Sequence, residues 1–316
     1  MLDTKLILVE GLPGSGKSTT AQYIALQVKE NGLPTRWFHE AEKPHPIRDW
    51  DVLLQDGIAE YISFSIKKWQ SFVENAEDSN EITVFDAMLF QCMVEVLLRW
   101  DFPRNRIMDI VLQIQEIITR LDPVLVYLRH DDIAQATMKL RDLRGETNER
   151  KHIEWFENSR FAKVRGMRGP NGMAEFRQVY QDLTDNLFNR LEIKKLAIEN
   201  SAGDWKQYYH QILGFLSLQR MDTKLPEGYL NKFVGTFIGE EAQQKCVIEM
   251  EDGQLMVSIS IMFKSHLIPI GENRFYAAGA PIELHFQEDG STVICSMEHR
   301  VLLEWDLEGK ILIKVE

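Results

Sequence analysis

Between Gly11 and Thr19 the chain reads GLPGSGKST, with glycines at 11, 14 and 16, a lysine at 17 and hydroxyl side chains at 15, 18 and 19. The spacing fits G-x-x-x-x-G-K-[ST], and the chemistry of that pattern is the holding of phosphate. Gly11, Gly14 and Gly16 let the backbone turn with its N–H groups facing inward, and a helix opening at the lysine adds its positive N-terminal end, so a nest of donors faces a phosphate. Lys17 would then bridge the β- and γ-phosphates of a nucleoside triphosphate, and the Ser18 hydroxyl would bind Mg²⁺. The expected nucleotide contacts are Gly11, Pro13, Gly14, Ser15, Gly16, Lys17, Ser18 and Thr19, with ATP and Mg²⁺ as the ligands.

That chemistry requires a strand before the loop and a helix after it, and the sequence supplies both: KLILVE runs into Gly11, and STTAQYIALQVKENG follows. The same alternation continues to about residue 218. Apolar runs (TRWFHE, ITVFDAM, PVLVYLR, KKLAIEN) alternate with helical patterns that include one opening at Trp50, FQCMVEVLLRW, RIMDIVLQIQEIITRL and DDIAQATMKLRDL. Such alternation predicts βαβ units and a five-stranded parallel sheet with helices on both faces. Strand ends near Gly11, His39, Asp86 and Arg129 should gather at the carboxyl edge, where open α/β sheets bind ligands. From about Lys232 the texture changes to nine short runs, from KFVGTFIG to KILIKV, separated by turn signals such as EDGQ and LEGK. Eight or nine antiparallel strands of this length predict a barrel or sandwich. The expected domains are 1–220, α/β, and 221–316, antiparallel β.

The chain has 316 residues and a formal net charge of −12, which argues against general nucleic-acid binding. The charge is uneven: residues 139–177 hold ten Lys/Arg against six Asp/Glu, and residues 222–316 hold eight against sixteen. A basic island in an acidic chain suits a small anionic ligand. No apolar run is long enough to span a bilayer, no basic leader pattern opens the sequence, and Cys92, Cys246 and Cys295 show no ligand or disulfide spacing. The expectation is a cytoplasmic protein with reduced, buried cysteines.

The loop and its neighbourhood resemble the small P-loop kinases, the family of nucleoside monophosphate kinases, thymidylate kinase and related small-molecule kinases, over residues 1 to about 218. The resemblance implies a carboxylate at the end of the third core strand, where EITVFDAMLF places Asp86, holding Mg²⁺ or taking a proton from the attacking hydroxyl. It also implies an arginine-bearing lid. Arg141 and Arg144, three apart near a helix end, would pinch phosphate oxygens, and the polar stretch from Gly145 to Gly172 would close over them. The segment after the second strand would touch the acceptor, which brings in His39, Glu40 and Glu42, with His45 beside them. Two departures stand out: the REPGG pattern of thymidylate kinase is absent, and DAMLFQ replaces a DRY-like run. The C-terminal region resembles the small lipocalin-like barrels appended to some serine hydrolases, and a packing or homodimerisation role is expected of it.

The leading expectation is an ATP-dependent phosphotransferase acting on a small-molecule acceptor. The alternative is a nucleotide-hydrolysing switch or ATPase whose β domain binds a protein, although no guanine-reading Asn/Thr-Lys-x-Asp motif is present.

Overall fold

Leu6, Ile7, Leu8 and Val9 are all buried, but they face opposite ways. Leu6 and Leu8 join one hydrophobic cluster, and Ile7 and Val9 join another. A strand covered on both faces needs an uninterrupted apolar run, because successive side chains alternate sides. This is β1, Leu6–Gly11.

The computed structural model describes residues 2–49, 52, 57–223, 225–226, 228–240, 245–259, 264–297, 300–301 and 309–315, apart from the side chains of 143, 144, 147, 148, 300 and 301. Two compact units form: residues 1–40 with 45–220, and residues 41–44 with 221–316.

In the first unit five parallel strands form one sheet in the order β2-β4-β1-β5-β6. They are β1, β2 (Thr35–Phe38), β4 (Ile82–Asp86), β5 (Val124–Arg129) and β6 (Lys194–Glu199). Helices α1 (Lys17–Glu30) and α8 (Trp205–Leu216) cover one face through Ala21, Ile24, Val28, Tyr208, Ile212 and Leu216. The other face carries α2 (Ile58–Glu77), a π-helical turn at Phe90–Glu95 that runs into α3 (Val96–Arg99), α4 (Arg104–Ile118) and α7 (Gly169–Arg190). Trp69, Phe85, Phe90 and Phe38 are buried on that face, so these aromatics are core. Trp50, where the helical pattern opens in the sequence, lies outside the described residues, and α2 begins at Ile58.

The polar stretch after Arg144 is helical. Helix α5 (Ile133–Asn158) is interrupted at Gly145, whose φ of 75° and ψ of 160° are not helical, and α6 (Arg160–Arg165) follows. Phe156, Phe161, Ala162, Met173 and Phe176 anchor the segment in the core. These sparse apolar anchors, spread among Arg, Glu and Asn, hold the helices down.

In the second unit eight antiparallel strands close into a barrel in the order β10-β11-β12-β13-β15-β7-β8-β9. In chain order they are β7 (Gly235–Ile238), β8 (Lys245–Glu251), β9 (Gln254–Ile259), β10 (Ser265–Pro269), β11 (Arg274–Ala277), β12 (Glu283–Phe286), β13 (Thr292–Ser296) and β15 (Ile311–Val315). Phe233, Phe237, Phe275 and Phe286 pack ring against ring inside. Of the nine runs in the sequence, RVLLEW is described only at β14 (Arg300–Val301), which pairs with β3 (Glu42–Lys43). All three cysteines are buried and free. No helix among the described residues is long and apolar enough to cross a membrane.

Candidate functional site

The loop after β1 can only be built from glycine at its corners. Gly11, Gly14 and Gly16 have φ of 153°, 83° and 86°. A Cβ on Gly11 would lie 2.3 Å from the Leu128 carbonyl oxygen, one on Gly14 2.5 Å from Leu140 Cδ1 and one on Gly16 2.4 Å from the Trp205 ring. The turn is therefore boxed in by β5, α5 and α8. Gly16 caps α1 with no side-chain hydrogen bond, whereas Asp132 and Asp204 cap α5 and α8 by accepting from the amides of Gln135 and Gln207. The first amides of α1 are thus left to an external acceptor.

Lys17 is buried, and its Nζ donates to the Leu12 carbonyl at 3.0 Å. Asn200, just past β6, donates from Nδ2 to the Ser15 carbonyl at 2.6 Å and pins the loop from outside. Ser15 is buried, while Pro13, Ser18 and Thr19 are half-buried.

Asp86 ends β4, beside the loop through the pairing of Val9 with Asp86. Its side chain is wholly buried, and neither carboxylate oxygen accepts a hydrogen bond among the described residues. His39 Nε2 lies 3.9 Å from Asp86 Oδ2. Burial, with help from the nearby Glu40 charge, pushes the Asp86 carboxyl above the usual carboxylate range against the opposing pull of His39, Lys17 and the Ser18 hydroxyl. Ala87 follows in the left-handed region with φ of 63°. Such strain in a non-glycine residue is characteristic of functional sites. An orphaned buried carboxylate beside a hydroxyl offers the hard oxygen donors that Mg²⁺ prefers, so Ser18 and Asp86 fit that ion.

A cavity of about 240 Å³ opens beside the loop at Pro13. Glu40, Gln91, Glu95 and Arg99 line one side, and Trp155 of α5 with Tyr180 of α7 line the other. Gln91 donates from Nε2 to Glu40 Oε2 at 2.5 Å. Arg99 donates to Glu95 Oε1 from Nη2 at 2.7 Å and Nε at 3.0 Å, and its guanidinium lies 3.7 Å above the Trp155 ring. Gln91 Oε1, Arg99 Nη1 and the Tyr180 hydroxyl have no partner among the described residues. Arg99 and Tyr180 are 8% and 1% exposed, so their orphaned atoms cannot turn to bulk water.

Of the acceptor-side residues expected from sequence, Glu40 lines this cavity and His39 stands by Asp86. Glu42 lies in β3, paired with Val301, and belongs to the barrel unit. His45 is structural: its Nδ1 accepts from the amides of Ile47 and Arg48 at 3.1 and 3.2 Å. Arg141 is half exposed, with its guanidinium 3.9 Å from Glu146, one residue beyond the Leu140 that abuts Gly14. The Arg144 side chain lies outside the described residues. Sequence reasoning missed Glu10, Gln91, Arg99, Tyr180 and Asn200. Glu10 alone carried a signal, as the charged residue in an otherwise apolar strand.

No protein-family model matches the chain, and no curated protein does. Among solved structures the chain is similar to the YorR protein from Bacillus subtilis in complex with phosphorylated GDP, at 14% identity over 66% of this chain and 95% of that one, with a TM-score of 0.36. It is also similar to deoxyadenosine kinase from M. mycoides with bound dATP, at 15% identity over 67% of this chain and 99% of that one, with a TM-score of 0.39.

Proposed function

We propose that the protein is an ATP-dependent phosphotransferase that acts on a small, neutral, polar acceptor bearing a hydroxyl group. The observation that carries this reading is the cavity that begins at Pro13 of the glycine-rich loop and contains Glu40. A hydrolytic switch needs room only for water beside its phosphates. A walled cavity with a carboxylate and orphaned donors and acceptors suits a second substrate.

In this reading the loop amides and Lys17 hold the triphosphate. Ser18 and Asp86 hold Mg²⁺, which when bound neutralises phosphate charge. Glu40 takes the proton of the acceptor hydroxyl as its oxygen bonds to the γ-phosphorus, the bond from the γ-phosphorus to the bridging oxygen breaks, and ADP leaves with that oxygen on its β-phosphate. The α5 and α7 walls exclude water, which limits wasteful hydrolysis. Gln91 Oε1, Arg99 Nη1 and the Tyr180 hydroxyl call for an acceptor that supplies both donors and acceptors, and the Trp155 and Phe176 rings favour a flat one. Nucleosides meet these terms.

The test is turnover with MgATP against panels of nucleosides, nucleoside monophosphates, sugars and amino acids, read as phosphorylated product by mass spectrometry. The expected result is a phosphorylated nucleoside or a molecule of similar size. ATP hydrolysis unaffected by every acceptor would favour the switch instead.

A further inference from the structure

Glu10 is wholly buried in the middle of the sheet, where a polar side chain is costly unless hydrogen-bonded. Its carboxylate reaches across to the segment after β4, accepting from the backbone amide of Leu89 and, at 3.4 Å, from that of Gln91; the Phe90 amide also faces it. These are first-turn amides of the π-helical segment Phe90–Glu95, which has no side-chain cap of its own. First-turn amides have no partner within their own helix. Glu10 supplies the partner from a strand about eighty residues away in sequence.

The preceding residue makes the same link. Val9 accepts from the amide of the strained Ala87 at 2.9 Å, and the Cys92 amide closes the wide turn on the Ala87 carbonyl at 3.0 Å. Gly11 is the first residue of the glycine-rich loop. Gln91, Cys92 and Glu95, which the turn carries, all line the cavity. Single π turns inside helices recur at functional sites, where the extra residue re-aims side chains.

We propose that Glu10 is a positioning residue: its carboxylate fixes the cavity floor to the first residue of the phosphate loop, so acceptor and nucleotide are held in one register. The proposal rests on the phosphotransferase reading for its kinetic test but not for its structural one. Glu10→Gln keeps the shape and replaces one of the two accepting oxygens with an NH₂ group, which cannot accept from an amide.

Two measurements on the full chain decide the matter. In hydrogen exchange, the 88–92 segment of Glu10→Gln should exchange about tenfold faster or more while α1 stays unchanged, as expected for a local opening. In kinetics, phosphoryl transfer to the best acceptor should fall about tenfold or more, while the MgATP dissociation constant and the acceptor-free hydrolysis rate stay within about twofold, because misplacement harms only the bimolecular geometry. Equal losses in transfer and hydrolysis, or unchanged exchange at 88–92, overturn the proposal. If the parent protein phosphorylates no acceptor, the phosphotransferase reading fails and the exchange result alone judges Glu10. If Glu10→Gln does not fold, the parent is compared with and without MgADP: slower exchange at 88–92 on nucleotide binding supports the link, and no change removes it.

Discussion

The Lys17 ammonium is held inside the turn it follows, donating to the Leu12 carbonyl five residues back at 3.0 Å. A phosphate oxygen is a stronger acceptor than a carbonyl, so a triphosphate in the loop would draw the ammonium onto itself. Lys17→Ala should lower phosphoryl transfer by at least about 10²-fold and abolish thermal stabilisation by MgATP. The fold should survive: losing one hydrogen bond of about 1 kcal/mol shifts the melting temperature by only about 2–4 °C in a chain of this size. Calorimetry with and without MgATP checks both points.

Asp86→Asn separates chemistry from architecture. Because the carboxylate accepts no hydrogen bond among the described residues, the amide should fold at least as stably. The turnover number should drop by about 10²-fold or more, with a much smaller change in the ATP dissociation constant. Equal turnover by the two proteins would free Asp86 of any part in the reaction.

Glu10 gives stability a pH slope. Burial raises its pKa from the ordinary 4.5 to about 8, against the pull of the Leu89, Phe90 and Gln91 amides and the Lys17 charge. The folded chain therefore holds a proton that the unfolded chain has released between those values, so the contribution of Glu10 to stability is full below about pH 4.5 and declines as pH rises toward 8. Nearby Cys92 and Tyr180 stay neutral throughout, since burial pushes both upward. Glu10→Gln should flatten this part of the melting-temperature profile. Both oxygens of the protonated acid still accept from amides, which the glutamine nitrogen does not, so the clamp and the slope are separate readouts of one side chain.

Tyr180→Phe should raise stability slightly, by up to about 1 kcal/mol, because it removes a buried hydroxyl that has no partner among the described residues. The same change should raise the Michaelis constant for the acceptor severalfold. A variant with unchanged stability and unchanged acceptor kinetics would take Tyr180 out of the cavity's chemistry.

Residues 221–316 expressed alone should fold cooperatively. The barrel has its own buried cluster, from Phe233 through Leu312, and the strands between Gly235 and Val315 close without help from the sheet. Circular dichroism and thermal melting of that fragment give the answer, and a broad, non-cooperative melt would mean that the barrel needs the rest of the chain.

All five sheet strands and the antiparallel β region, read as a barrel or sandwich, were legible because both architectures write their burial into local period: uninterrupted apolar runs for the doubly covered strands, alternation for the antiparallel ones. The glycine-rich loop was legible because its positive-φ corners admit almost no other residue. The cavity was not. Glu40, the Gln91–Arg99 stretch and Tyr180 come from three separate parts of the chain, and only the fold brings them together. The helices after Arg144 were hidden for a related reason: their core contacts are a few apolar residues amid charge, too sparse for a periodic signal. Glu42, two residues from Glu40 in sequence, opens β3 and belongs to the barrel unit, a division that no local pattern announces.

A ring of eight strands closed on itself has no unpaired edge, so the barrel cannot lengthen by adding a strand from another chain, the usual route to fibrils. Its interior is packed with phenylalanine and aliphatic side chains, so among the described residues the outward-pointing side chains are the ones free to meet other molecules. On the outer wall Ile313 stands opposite Ile238, with Ile311 and Val315 two residues to either side, all exposed. That aliphatic strip is the place to alter first if the protein clumps on concentration: threonine or lysine there changes solubility while leaving the packed interior untouched.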